Sequence, residues 1–211
     1  MTLRTIGLVA IILMSFAALS VAQQGAAQSS APAGSQAAAG DALKQFALLK
    51  GLAGMWYGTM QASSADVPAD TLPNKGKPFA AQVRINVTSL GNAILHEGHD
   101  PDRPNDPSRW SHPITMFYLE GDRLMLTHYC DMGNRPRMTA GKSADGNTVT
   151  FDLVDLSGPK TIGYMNRMAF TQVDGNHHNE DWVALIAPGD KPVKFHMELH
   201  RTYEMTAAAA R

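Results

Sequence analysis

The chain has 211 residues, 18 Lys+Arg against 19 Asp+Glu, 44% apolar content and one cysteine. Its length allows one domain or two small ones, and its apolar content is enough for a packed core, which excludes wholesale disorder. A formal net charge of −1 excludes a basic nucleic-acid binder, and the single cysteine excludes a disulfide-stapled scaffold and a Cys-rich zinc domain.

The first element is not part of a fold. After Arg4, Ile6 to Leu19 carries no charge, and Ser20-Val21-Ala22 places small residues before a cleavage point. This predicts a secretory signal peptide over 1–22, too short to span a membrane, and hence a periplasmic or secreted bacterial protein with no stable membrane insertion after cleavage. Residues 23–40 are Ala, Gln, Ser, Gly and one Pro, without charge, and read as a disordered linker. Asp41 can cap a helix over 41–50, with Leu43, Phe46 and Leu49 at helical spacing and Gly51 and Gly54 ending it.

Ten runs of alternating, β-branched and aromatic residues follow: 55–61, 79–89, 93–99, 112–119, 123–130, 136–143, 147–155, 163–173, 177–187 and 192–204. No helical spacers separate them, so the strands are antiparallel. The links 90–92, 120–122, 144–146 and 174–176 are tight and rich in Gly, Asn and Asp, whereas 62–78, 100–111, 131–135, 156–162 and 188–191 are mostly longer. In a meander this alternation puts the tight turns at one end and the long loops at the other. The expectation is an all-β, ten-stranded up-and-down barrel over 41–206, with a short helix before it and a disordered tail at 207–211. Ten strands leave an interior wider than side chains fill, although a flattened barrel with a filled core stays open.

The segment Gly54-Met-Trp56-Tyr-Gly58 after a short helix resembles the start of the calycin superfamily, which includes lipocalins, fatty-acid-binding proteins and nitrobindins. The resemblance implies a β-barrel in which an Arg near the end of the last strand packs on the Trp. Arg201 stands at that place. The block Gly121 to Cys130, followed by Gly133-Asn134-Arg135-Pro136-Arg137-Met138, is similar to one in uncharacterised exported bacterial proteins. Nitrobindins bind haem through a His on a late strand. His196 and His200 are nearby, so haem is the alternative cofactor; no other is expected.

Alternation assigns faces. On the last strand Val193, Phe195, Met197, Leu199 and Arg201 share the inward face, which turns His196 and His200 outward. Val83, Ile85 and Val87 share a face, as do Tyr164, Asn166, Met168 and Phe170, and His178, Glu180 and Trp182. On 123–130, Leu124, Leu126, His128 and Cys130 share one face and Met125, Thr127 and Tyr129 the other; which one is inward stays open. His128, Cys130 and Arg137 are expected as a polar group in an apolar pocket at the long-loop end, with Met197 and Phe170 lining it. The alternative leaves Arg137 and Asn134 satisfying loop carbonyls and Cys130 as a small buried hydrophobe. Trp110 is either a lid or the anchor of a solvated loop.

No metal site is expected: His196 and His200 are about 13 Å apart on a strand, and His96 and His99 have opposite parity. His128 and Cys130 stand about 6.6 Å apart, too far for a thiolate–imidazole pair, and no nucleophile elbow or paired carboxylates support an enzyme. The reading is an exported lipocalin-like barrel that binds a small hydrophobic or amphipathic molecule. The alternatives are a haem or other cofactor barrel with redox or isomerase activity, and a structural or interaction domain with a filled core.

Overall fold

The computed structural model describes residues 33–99, 101 and 112–202. The expected signal peptide, the 23–32 part of the linker, Trp110 and the 207–211 tail lie outside the described residues. One helix, α1 (Ala33–Gly51), is followed by β1 (Gly54–Ser63), β2 (Phe79–Thr88), β3 (Ala93–His99), β4 (Ile114–Glu120), β5 (Arg123–Tyr129), β6 (Arg135–Ala140), β7 (Thr148–Ser157), β8 (Gly163–Gln172), β9 (His177–Ile186) and β10 (Lys191–Thr202). Each strand pairs antiparallel with its sequence neighbours, and β1 pairs with β10 to close the barrel.

The helix starts at Ala33, so residues 33–40 of the expected linker are helical. The cause is composition: Ala is the best helix former, and Ala37-Ala38-Ala39 extends the turn pattern upstream without needing an apolar face. Farther along, Phe46, Leu49 and Leu52 are buried in the same core as Trp56, and Gln45 Nε2 donates to Gly141 O at 2.7 Å. Gly141 borders a tight link, so the helix covers the end of the barrel where those links lie. We call this end the floor.

The Gly-x-Trp-x-Gly motif makes the floor. Trp56 is fully buried, donates from Nε1 to Leu52 O at 2.7 Å, and lies under the Arg201 guanidinium at 4.3 Å. Arg201 also donates to the carbonyls of Gly51, Ala53 and Gly175, tying helix end, first strand and last hairpin together. Gly54 sits at φ 146°, and a side chain there would meet the Arg201 guanidinium at 2.6 Å. A Cβ on Gly58 would collide with Glu198 O, so β1 approaches β10 only with glycine there.

Two bulges change the faces. Opposite β9, β8 shifts register between Met165 and Arg167, leaving Asn166 as the extra residue. Met165 therefore joins Met168 and Phe170 inside, and Tyr164 falls on the other face, with Lys160 Nζ 4.9 Å from its ring centroid. The second shift lies between Arg137 and Met138 on β6, against β7. Val87, near the floor end of β2, is exposed rather than inward.

Candidate ligand-binding site

The floor half of the barrel is solid. Phe117, Phe151 and Phe170 pack with ring centroids 5.2–6.1 Å apart, and Ile94, Leu124, Leu126, Met138 and Met168 fill the space around them. The mouth half is hollow. A cavity of about 750 Å³ opens among the long loops, within the ~300–1,000 Å³ typical of small-molecule sites. Met60, Met165, Ile186, Phe195 and Met197 form its walls, and the β1–β2 connection lays Val67 and Leu72 along one side.

Its polar groups are few. His128, fully buried on β5, pairs Nδ1 with Thr115 Oγ1 at 2.8 Å, while its Nε2 has no partner among the described residues. Burial, and then the nearby His96, hold its pKa down at about 3, so the imidazole is neutral at physiological pH. The Trp182 ring lies 5.5 Å from it, nearly perpendicular, and Trp182 Nε1 is likewise unpartnered among the described residues. Both side chains line the cavity. Buried polar atoms without partners are costly, and these two stand beside one cavity. Cys130 and Asp131 border the same space; burial pushes the Cys130 thiol up to about 11, against a hydrogen bond from the Met132 amide. Cys130 is thus a thiol, not a thiolate nucleophile.

Between floor and cavity lies a polar belt. His96 Nε2 contacts both oxygens of Glu180 at 3.0 and 3.1 Å, and His178 Nε2 contacts Glu180 Oε1 at 2.9 Å, all three side chains fully buried. Burial alone would raise the Glu180 pKa, but the attraction of His96 and hydrogen bonds from His178 and His96 hold it down at about 2. The carboxylate accepts, so both Nε2 atoms carry protons. His178 stands edge-on to Trp56 at 4.2 Å, and His96 lies 5.8 Å from Trp182. The belt therefore runs from the floor motif to the cavity's polar end.

The expected site residues separate. His128, Cys130 and Met197 line the cavity. Arg137 does not. Its neighbour Met138 points inward, and Arg137 lies on the outer wall, donating Nε to Asp155 and a terminal nitrogen to Glu120, each at 3.0 Å. Nor does Phe170, which is interior but belongs to the solid half because β8 runs from mouth to floor. Asn134 is a clamp: its buried Nδ2 donates to Pro159 O at 2.8 Å and Gly163 O at 2.6 Å, joining the β5–β6 and β7–β8 loops. His196 is on the outer face, bound through Nδ1 to Asp181 at 2.7 Å, and His200 is exposed too, so neither late-strand histidine fits a haem held inside the barrel.

No family profile matches the sequence, and no curated protein matches it either. Solved structures do. Rv2717c from M. tuberculosis superposes with a TM-score of 0.50 at 12% identity, over 75% of this chain and 97% of that one. A protein of unknown function of the DUF3598 family from Nostoc punctiforme gives 0.48 at 9% identity over 72% of this chain, which spans about half of that protein's length, 48%. The likeness to Rv2717c is one of fold: a barrel whose function remains to be argued from its own site.

Proposed function

We propose that this chain is an exported, calycin-like barrel whose mouth cavity binds one small, mostly apolar molecule carrying a polar group at its inner end. One observation carries the reading: the apolar cavity of about 750 Å³ has the unpartnered Nε2 of His128 and Nε1 of Trp182 beside it. Methionines on three strands, Met60, Met165 and Met197, suit a site that adapts to its ligand's shape. The hollow mouth half argues against a barrel that is filled throughout. Native mass spectrometry of protein purified from its own host tests this, together with titration of 1-anilinonaphthalene-8-sulfonate. The expected results are a bound small molecule and 1:1 probe binding that Ala184→Phe, at the cavity wall, abolishes. Apo protein from the host together with probe binding unchanged by Ala184→Phe would sink the proposal.

A second reading rests on the same imidazole. A neutral His128 whose Nε2 is unpartnered among the described residues offers a ligand for haem iron, which the outward His196 and His200 do not. A Soret band that appears on haem addition and is lost in His128→Ala would favour it.

A further inference from the structure

The mouth ends of β3 and β4 carry a second constellation, outside the pair His128 and Trp182. The β3–β4 ladder ends with Glu97 opposite Ile114, and the bond from Gly98 N to Pro113 O at 3.0 Å carries the register one step further. The next opposed pair is His99 and His112, whose ring centroids are 4.8 Å apart. Directly opposed strand residues have Cβ atoms ~4.5–5.5 Å apart, and diagonal ones ~7–8 Å, within reach of a long side chain. Glu97 is the diagonal neighbour, two residues before His99 and on the same face of β3. One ligand atom from each of Glu97, His99 and His112 lies within 4.8 Å of the others, and all three residues are half-buried. The chain is pinned here: Asp131 Oδ2, from the β5–β6 loop, accepts from the His112 amide at 3.2 Å.

We propose that Glu97, His99 and His112 bind one divalent first-row transition-metal ion at the rim of the cavity. Two imidazoles and one carboxylate are the donor set of open zinc and non-haem iron sites, and imidazole disfavours Mg²⁺ and Ca²⁺. With metal–nitrogen bonds of about 2.0–2.1 Å, tetrahedral ligand atoms sit roughly 3.4 Å apart, so the present spacing, within 4.8 Å, is to close by at most about 1.4 Å on binding. Three protein ligands leave at least one position for water or for a ligand atom. His99 also lines the cavity, which puts the ion next to whatever enters it. The ion ties β3 to β4 at the end where no further ladder bond holds them among the described residues.

The test uses the full, untagged chain, stripped with chelator and titrated with Co²⁺ and Zn²⁺. One equivalent should bind at micromolar Kd or tighter, Co²⁺ should develop visible d–d absorption, and Zn²⁺ should raise Tm. His112→Ala and Glu97→Gln should each weaken binding at least tenfold, while His200→Ala leaves it unchanged. That last variant controls for the outer His177–His200 pair, whose rings are 4.5 Å apart. Loss of binding in His200→Ala but not in His112→Ala would overturn the site, as would millimolar affinity in the wild type. If a variant is destabilised without metal, the wild type decides: Co²⁺ must broaden the amide signals of Gly98 and Ile114. Broadening centred on 177–200 instead overturns it.

Discussion

The floor and mouth halves of the barrel are made by the same ten strands, yet one is solid and the other hollow. At the floor, tight links hold strand ends close, a helix closes the opening, and Trp56, Phe117, Phe151 and Phe170 fill the lumen. At the mouth, long loops spread the same strands, and smaller or flexible residues such as Ala184, Met165 and Met197 leave space. The buried belt of His96, Glu180 and His178 marks the boundary. Stability should therefore concentrate at the floor and ligand recognition at the mouth, each alterable without the other.

The harshest way to break this division is Phe170→Ala. In a close-packed core it should cost about 3–5 kcal/mol. Phe195→Ala, at the half-buried cavity wall, should cost well under half as much, because the space it leaves joins an existing cavity. Urea denaturation of both variants measures the ratio. Equal costs would mean that the mouth is as tightly packed as the floor.

The belt comes next. Glu180→Gln removes the negative charge that two imidazoles share and puts an amide donor in place of one of its oxygens, and breaking a buried charged network from one side costs about 3–5 kcal/mol at the upper end. The wild type's pH dependence follows from the depressed pKa. The contribution is complete above the unfolded value near 4.5 and is lost as pH falls toward about 2. The Gln variant should lack that acid-sensitive component in denaturation midpoints taken across this range.

His128 sharpens the boundary from the other side. Its pKa falls on folding, from 6.5 to about 3, so below pH 6.5 the unfolded chain takes up a proton that the folded one refuses. Stability should decline by about 1.4 kcal/mol per pH unit from this group as pH drops through that window. His128→Phe should flatten the slope between pH 6 and pH 5, above the range where Glu180 contributes, and should weaken binding of a polar-ended ligand roughly tenfold. A bound ligand that donates to the unprotonated Nε2 of neutral His128 should itself let go as pH approaches 3.

How much of this was legible depended on whether the information was local to one strand. Alternation exposed all ten strands, and the link lengths exposed the meander, because hairpin chemistry and period-two patterning are written in consecutive residues. Trp56 and Arg201 were legible through a motif. The Asn166 bulge was not: an extra residue inverts the parity of everything beyond it, which moved Tyr164 out and Met165 in. The belt was hidden for a different reason. β3 and β9 are not neighbours in the barrel, so His96 meets Glu180 only across the lumen. Likewise His99 and His112 flank a long loop, and only the register of β3 against β4 opposes them. Cys130 borders the cavity because it directly follows β5, whose direction the link lengths give.

Arg137 is the smallest expected effect and a sharp test of inside against outside. Position in the chain brings it back from the mouth beside His128 and Cys130, which makes it an attractive anion ligand on paper. Parity decides otherwise. Leu126 opposes Met138 on the inward face, so Thr127 and Arg137 oppose each other on the outward one. There the guanidinium satisfies Glu120 and Asp155, with its pKa raised first by the hydrogen bond to Asp155. Exposed ion pairs contribute little to stability. Arg137→Ala should leave 1-anilinonaphthalene-8-sulfonate affinity within twofold of wild type and Tm nearly unmoved. A tenfold loss of probe affinity would place the guanidinium in the cavity, and that requires β6 to shift by one residue. Such a shift would turn Met138 out of the core and expose the solid floor to water, so the measurement tests the register of the whole β5–β6–β7 sheet segment as well as one side chain.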